Sequence, residues 1–327
     1  MPKVTVIIPA YNAMAFLPEA LNSVFNQTYQ DFEVIVVNDG STDETEQWVS
    51  QIEDPRVNLV SQENKGLAGA RNTGIGHAQG EYIAFLDDDD LWESTKLEKQ
   101  VNVLDENPEV GLVYTWVSLI DSDGKPRGRI WCNSEEGNVW KKLLEHNIVE
   151  SGSVAMVRHS CYQSVGLYDC TLPSSYAEDW DMWLRIAAQY HFQVILEPLV
   201  YYRDTPSSLS KNWRVTEQSY QIVIEKAFAN APQNLQHLKG RCYSFAYLNV
   251  CWKILQTPGE NYQRLVQYRH QAVSWHPQIR KSKNYLRLSF AIMLVKLLGL
   301  SRYNKLRSLI YTSKDNILQI SRQFTTS

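Results

Sequence analysis

Four consecutive aspartates, Asp87, Asp88, Asp89 and Asp90, follow the apolar run from Tyr82 to Leu86. Adjacent carboxylates raise one another's pKa unless a cation neutralises them. A hard divalent cation takes one or two carboxylates and completes its shell with waters and substrate phosphates. The run therefore reads as a place where a metal and a phosphorylated ligand meet. A solvated acidic loop is the plain alternative. Three more polar clusters shift the balance: Pro9-Ala10-Tyr11-Asn12, Asn38-Asp39-Gly40-Ser41, and Asn64 to Gly74. In the last, Lys65 and Arg71 bring positive charge among Gly66, Gly69, Gly74 and the nearby Gly76. Taken singly each is weak, since Asn12 could be a helix cap, Asn38 to Asp43 a turn with a cap, and Lys65 and Arg71 surface charges. A fifth cluster, Tyr176 to Arg185, sets Glu178, Asp179 and Asp181 among tryptophans. Acids entering a helix favour its dipole, which accounts for Glu178 and Asp181. It accounts less well for an aspartate beside Trp180 and Trp183, where partial desolvation would raise pKa and basicity.

Ligands of open α/β sheets bind beyond the carboxyl ends of the strands, so strand ends must present these clusters. Lys3 to Ile8, Glu33 to Val37, Arg56 to Val60 and Tyr82 to Leu86 are near-continuous apolar runs, as in parallel strands covered on both faces. Helical patterns alternate with them. Pro18 and Glu19 suit a first turn, with Leu21, Val24 and Phe25 at core spacing. Ser41 to Glu44 and Thr95 to Glu98 read as capping boxes. Further on, Val110 to Ile120, Ser151 to Val157 and Phe192 to Leu196 are strand candidates, with a turn at Asp121 to Gly124 and a helix over Asp181 to Gln189. After Ser210 strands cease, and 215–327 reads as helices broken at Pro232, Pro258 and Pro277. The expected fold class is α/β: an open, mostly parallel sheet flanked by helices over 1–210, then a helical extension over 211–327.

The chain has 327 residues, 44% hydrophobic and 21% charged, enough for a large core. A net charge of −4 gives the whole no electrostatic reason to bind nucleic acid. The charge is uneven: ten Lys or Arg against Asp315 alone from Pro277 onward, and 22 bases against 35 acids before it. Five cysteines (Cys132, Cys161, Cys170, Cys242 and Cys251), none spaced CxxC, argue against a disulfide framework or structural zinc site and for a reducing cytosol. The opening MPKVTVIIPAYN reads as a strand rather than a signal peptide, and the longest apolar run, Leu288 to Leu300, is interrupted by Lys296. A cytoplasmic protein is expected.

VTVIIPAYNA, QTYQDFEVIVVNDGSTDET, NKGLAGARNTGI, GEYIAFLDDDD, GLYD and AEDWDMWLR occur in the order and spacing of inverting family 2 glycosyltransferases with the GT-A fold. The chain resembles that family from residue 3 to about 205, through six motifs rather than one. The resemblance implies a nucleotide-sugar donor, usually a UDP-sugar, with manganese or magnesium. Pro9, Ala10 and Tyr11 would line the nucleotide, with Asn12 beside them, and Asp39 would contact the base. Lys65 and Arg71 would lie near the base or diphosphate. Asp87 and Asp88 would serve the donor nucleotide, Asp88 reaching the ribose, and Asp89 would bind the metal as the last acid of the element Asp87-Asp88-Asp89. Asp179 matches the proposed general base, with Glu178 its neighbour. Two departures stand out. Asn38 replaces the first of two aspartates common before GST, and Thr205 stands where a Tyr-Arg-x-His-Pro stretch would place its His.

A sugar nucleotidylyltransferase should open with a glycine-rich phosphate loop, and PAYNAMAF has no glycine. A non-catalytic nucleotide-sugar or glycan-binding module fits the fold but leaves the retained acids and Asp179 without a task. The expected acceptor is a glycan or a lipid-linked hydroxyl. For the basic tail two readings compete. Leu286, Leu288, Phe290, Ile292, Met293, Val295, Leu297, Leu298 and Leu300 could pack on the preceding helices, or could lie with the flanking cations as a peripheral contact at the inner face of a membrane.

Overall fold

The computed structural model describes residues 1–205, 212–229, 231–255, 257, 262–303 and 305. Pro206, Ser210, Pro258 and the end of the basic tail, with Asp315, lie outside the described residues. The chain divides into two compact units. One holds Met1–Pro126, Ile130–Leu143 and Asn147–Asp204; the other holds Arg127–Arg129, Leu144–His146 and the chain from Thr205 onward.

The first unit alternates strand and helix: β1 (Val4–Ala10), α1 (Leu17–Phe25), β2 (Phe32–Asp39), α2 (Thr45–Ser50), β3 (Val57–Gln62), α3 (Gly66–His77) and β4 (Tyr82–Phe85). It continues with β5 (Leu91–Trp92), α4 (Lys96–Glu106), β6 (Val110–Ile120), β7 (Pro126–Trp131), α5 (Trp140–Leu143), β8 (Met156–Arg158), α6 (His159–Val165), α7 (Glu178–Ala187) and β9 (His191–Arg203). The sheet order is β3-β2-β1-β4-β8-β6-β9-β5, with β7 on β6. β3, β2, β1 and β4 are parallel, as are β6 and β9, whereas β8, β5 and β7 pair antiparallel. The fold is mixed α/β. Every residue of β1, β2 and β4 is buried, as the unbroken apolar runs require of strands covered on both faces. Pro9 is tolerated in a central strand because β4 follows β1 only as far as Ile7, so no ladder bond is lost on that side.

Helix starts differ from the expected capping boxes. α2 begins at Thr45, and Asp43 Oδ1 accepts from the Thr45 N–H at 3.1 Å and its hydroxyl at 2.5 Å. Ser41 and Thr42 are drawn off by Asn12 instead. Thr95 precedes α4 without a side-chain cap.

The second unit contains α8 (Trp213–Ala229), α9 (Lys239–Ile254), α10 (Tyr262–Trp275) and α11 (Lys283–Leu298). Val223, Ile224, Leu248, Cys251, Leu265 and Ala272 are buried in it. Trp275 stacks on Tyr243 at 4.5 Å, and Tyr247 on Tyr268 at 5.8 Å. Pro277 opens a short 3-10 turn to Lys281, so the helix break expected there is present. No helix among the described residues is long and apolar enough to cross a membrane.

Candidate active site

β2, β1 and β4 are sheet neighbours, so their carboxyl ends set Asp39, Tyr11 and Asp87 side by side across two strand spacings of about 5 Å each. Asp39 is buried and closes β2. Its Oδ1 accepts from the Gln62 amide at 2.7 Å and the Lys65 backbone N–H at 2.8 Å. The other carboxylate oxygen has no hydrogen-bond partner among the described residues. Gly40 follows at φ 75°, where a Cβ would lie 2.9 Å from the Asn64 nitrogen, so only glycine lets the two loops approach. Pro9 and Ala10 are buried, and Tyr11 after them is 53% exposed.

Of three residues expected at the donor site, Asn12 and Arg71 have side chains engaged within the protein, whereas the side chain of Lys65 is exposed. Asn12 sits at φ 52°, and its Oδ1 accepts from the Thr42 N–H, the Thr42 hydroxyl and the Asp43 N–H at 2.7, 3.2 and 3.3 Å. Its own N–H donates to Ser41 Oγ at 3.0 Å. This amide therefore ties the loop after β1 to the loop after β2. Lys65 exposes its side chain and offers Asp39 only its backbone N–H. Arg71, expected near the base or diphosphate, is 1% exposed. Its guanidinium is held by Asp87 at 2.7 Å and by Glu178, with the rings of Phe85 and Tyr168 5.5 and 5.6 Å away.

The acidic run is anchored at both ends. Asp87 is paired with Arg71 and donates its N–H to Ser153 Oγ at 3.1 Å. Asp90 is fully buried and accepts from the Ser153 hydroxyl at 2.6 Å and the Arg203 N–H at 3.0 Å. The Arg203 side chain, also buried, donates to Asp89 O at 2.8 Å and to the Glu19 carboxylate at 2.7 Å. Between these anchors Asp88 and Asp89 are half-buried. Burial, then repulsion from Asp89 and Asp87, pushes Asp88 up to about 8. Burial and Asp87 push Asp89 up to about 6. Burial and the same neighbours hold Asp90 well above the usual carboxylate range.

β8 runs antiparallel to β4, which brings the 3-10 turn before it, Gly152–Val154, to the same sheet end. A Cβ on Gly152 would lie 2.5 Å from Arg71 Nη2, so the missing side chain there is the space the guanidinium fills. α7 begins after Ala177, itself at φ 63°, and its first residues are Glu178 and Asp179. Glu178 faces Arg71. Asp179 accepts from the Asn147 amide at 3.0 Å and from the Trp180 N–H at 2.6 Å. Burial raises its pKa against the pull of Arg71. Glu150, at φ 71° and bonded by the Asn133 amide at 3.0 Å, lies close enough to Asp179 for the two carboxylates to repel. Asp181 turns away to Arg185 at 2.9 Å.

Arg71, Asp87 and Glu178 thus form one connected group, with Asp179 next to Glu178 in the chain and Asp88 and Asp89 next to Asp87. Asn147, Gly152 and Ser153 complete it without any motif that announces them, together with Arg203 from the Tyr-Arg stretch before Thr205. Among the described residues no three His, Cys, Asp or Glu side chains converge as a metal cage. The donor set nevertheless suits a hard cation that keeps waters and substrate phosphates, because Asp88 and Asp89 supply oxygen ligands whose raised pKa values an adjacent cation would lower.

Residues 5–166 match the family described as glycosyl transferase family 2. The chain is 32% identical over 230 residues to TuaG of Bacillus subtilis, a glycosyltransferase assigned to teichuronic acid biosynthesis, covering 68% of this chain and 88% of that one. It is 31% identical over 212 residues to the Escherichia coli UDP-Glc:alpha-D-GlcNAc-diphosphoundecaprenol beta-1,3-glucosyltransferase WfgD, covering 64% and 80%. It spans only 21% of a longer Rickettsia bellii glycosyltransferase to which it is 42% identical over 144 residues. In structure it resembles the Pyrobaculum calidifontis mannosyltransferase PcManGT, solved with GDP-Man and Mn2+, at TM-score 0.58 and 21% identity, covering 97% of this chain and 86% of that one. The chain belongs to glycosyltransferase family 2 and has the GT-A fold.

Proposed function

We propose that this enzyme transfers a sugar, with inversion, from a UDP-sugar to a hydroxyl of a lipid-linked or growing polysaccharide acceptor, as an inverting hexosyltransferase. The observation that carries the reading is the chain of contacts from the opening of α7 to the acidic run. Glu178, the residue before the base candidate, and Asp87, the head of the acidic run, are both fixed to one buried arginine, so the separation of the two segments is set by packing rather than by loop motion. The names of TuaG and WfgD support the acceptor class, and that of WfgD the uridine nucleotide. Five free cysteines favour a reducing compartment, and we place the enzyme in the cytoplasm.

In this reading the free oxygen of Asp39 and the exposed ring of Tyr11 receive the base, and Asp88 the ribose. Asp89 would hold a manganese or magnesium ion, which when bound supplies positive charge for the departing diphosphate. Asp179 takes the proton of the acceptor hydroxyl as that oxygen attacks the anomeric carbon from the face opposite the diphosphate. The C–O bond to the acceptor forms as the bond to the diphosphate breaks, and the proton remains on Asp179. Asn147 holds the carboxylate in place. Its raised pKa, a consequence of burial, makes it a stronger base than a solvated aspartate. Release of free UDP, measured across a panel of UDP-sugars with a polyprenyl-diphosphate sugar as acceptor, tests the proposal. Release from none of them, or from a non-uridine donor alone, sinks it.

A further inference from the structure

α11 is apolar on two faces, and only one of them is packed. Leu288, Ala291, Ile292 and Val295 recur at helical spacing and are buried. At about 100° per residue, Leu286, Phe290, Met293 and Leu297 form a second stripe on the opposite side. These four are 57%, 58%, 46% and 71% exposed, where a helix of a soluble domain ordinarily carries polar side chains. The same wheel sets Lys283 and Arg287 along one border of the stripe and Lys296 along the other. All three are exposed, as are Arg280 and Lys281 in the turn before the helix. No acid occurs in α11, and none of these five cations forms an ion pair among the described residues.

We infer that this face of α11 lies flat in an anionic lipid surface, its apolar stripe among the acyl chains and its bordering cations at the headgroup phosphates. Such a surface offers an apolar layer and an anionic layer parallel to the helix axis, in the order the side chains require. Two protein occupants fit less well on charge. A second copy of the stripe would bring cationic borders against cationic borders with no acid to offset them. The chain's own end, 306–327, adds Arg307, Lys314 and Arg322 against Asp315 alone and would be repelled likewise. At 16 residues α11 spans about 24 Å, too short to cross a bilayer but long enough to rest on one. The two readings of this segment therefore apply to different faces of one helix. The inference stands apart from the transfer reaction, because its test reads vesicle binding and not turnover.

The experiment is flotation of the full-length protein with phosphatidylcholine vesicles, alone and mixed with phosphatidylglycerol, at low and high salt. The protein is expected to float with the mixed vesicles, less so in high salt, and to stay behind with phosphatidylcholine alone. The double variant Phe290→Ser with Leu297→Ser should lower partitioning tenfold or more, on the order expected for withdrawing two large apolar side chains. Lys283→Gln, Arg287→Gln and Lys296→Gln should each lower it about fivefold. Unchanged melting temperatures would show that every variant is folded. Failure of the wild type to float on mixed vesicles overturns the inference, and so does wild-type binding by the double variant. A double variant that changes molar mass in solution but not vesicle binding makes the stripe a protein contact, which also overturns it.

Discussion

The molecule carries two short acidic runs at one sheet end, and their members are treated differently. In Asp87–Asp90 the outer residues are committed: Asp87 to Arg71, Asp90 to Ser153 and the Arg203 backbone. The inner pair, Asp88 and Asp89, forms no ion pair among the described residues and is pushed up to about 8 and about 6. In the run that opens α7, Glu178 is committed to Arg71 and Asp181 to Arg185, whereas Asp179 between them has only neutral hydrogen-bond donors. In each run the residues that are ion-paired or themselves fully buried build the site, and the half-buried ones with neutral partners or none are available for chemistry. Identity of side chain does not separate the roles; its surroundings do.

The sharpest test pairs one member of each class. Asp89→Ala should abolish turnover with the fold intact, and excess chelator should do the same to the wild type. Asp179→Asn should lower kcat about a hundredfold to ten-thousandfold, with donor KM little changed. The comparison breaks if Asp89→Ala keeps its activity, or if Asp179→Asn acts on donor affinity alone. Asp90→Ala should instead show itself in stability. It strands the Ser153 hydroxyl and the Arg203 N–H, at about 1–3 kcal/mol for each buried group left unsatisfied. A melting temperature equal to the wild type's would place Asp90 with the working acids.

A second contrast concerns pH. Because burial raises Asp179 above the ordinary aspartate value, kcat/KM should fall on the acid side at a higher pH than a solvated aspartate gives. The same shift has a consequence for stability. A carboxyl whose folded pKa is raised favours the native state when protonated, and that contribution is lost as pH rises through the folded value. Asp179→Asn removes an ionisation that the fold resists, so the variant should melt above the wild type near neutral pH, with the gap closing in acid. Thermal scans across pH check both the sign and the convergence. A gap that widens in acid would mean that the carboxylate is stabilised in place.

Arg71 and Gly152 test the commitment itself. Arg71→Met leaves Asp87 and Glu178 facing each other without a cation, a loss of about 3–5 kcal/mol for a broken buried pair. Gly152→Ala keeps every charge but pushes a methyl into the guanidinium, and overpacking of this kind costs about 1–3 kcal/mol. Both variants should lose kcat more than donor KM, as Asp179 shifts against the acidic run. A rise in donor KM alone would return Arg71 to the nucleotide.

Much of the fold and of the site is legible in the sequence, and the gaps have physical causes. The polar clusters after apolar runs mark Asp39, the acidic run and the opening of α7, because strands covered on both faces contrast sharply with the polar loops at their ends. The Arg71–Glu178 pair is invisible there because it joins residues 107 apart, and a lone arginine in a glycine-rich stretch looks like a surface charge. Asn147 comes from irregular chain, and Gly152 and Ser153 from the first half of the strand expected over Ser151 to Val157, where the chain makes a 3-10 turn and the strand begins only at Met156. The pattern marks β9 only over Phe192 to Leu196. It breaks at Leu196 and Glu197, where the register jumps from Thr115↔Ile195 to Trp116↔Pro198. The expected Ser41 cap fails because Asn12, 30 residues before Thr42, takes the donors of that loop.

The smallest predicted effect lies at Lys65, where backbone and side chain can be told apart. The side chain is exposed, and the donor Asp39 receives is the backbone N–H at 2.8 Å. Lys65→Ala keeps that N–H and the Cβ. It should leave kcat unchanged and raise donor KM at most a few-fold, by an amount that shrinks in high salt if the ammonium attracts the diphosphate. Gly69→Ala, one turn into α3, adds a single methyl and should do more harm. Its Cβ would lie 2.5 Å from the Lys65 Cβ, an atom one bond from the main chain that cannot swing aside as the far end of a lysine can. The backbone at Lys65 must then move, the bond to Asp39 lengthens, and the carboxylate expected to meet the base loses its orientation. Donor KM measured for the two variants side by side decides the point. If loss of the whole side chain hurts more than the added methyl, the ammonium is the working part of Lys65 and the backbone contact is incidental.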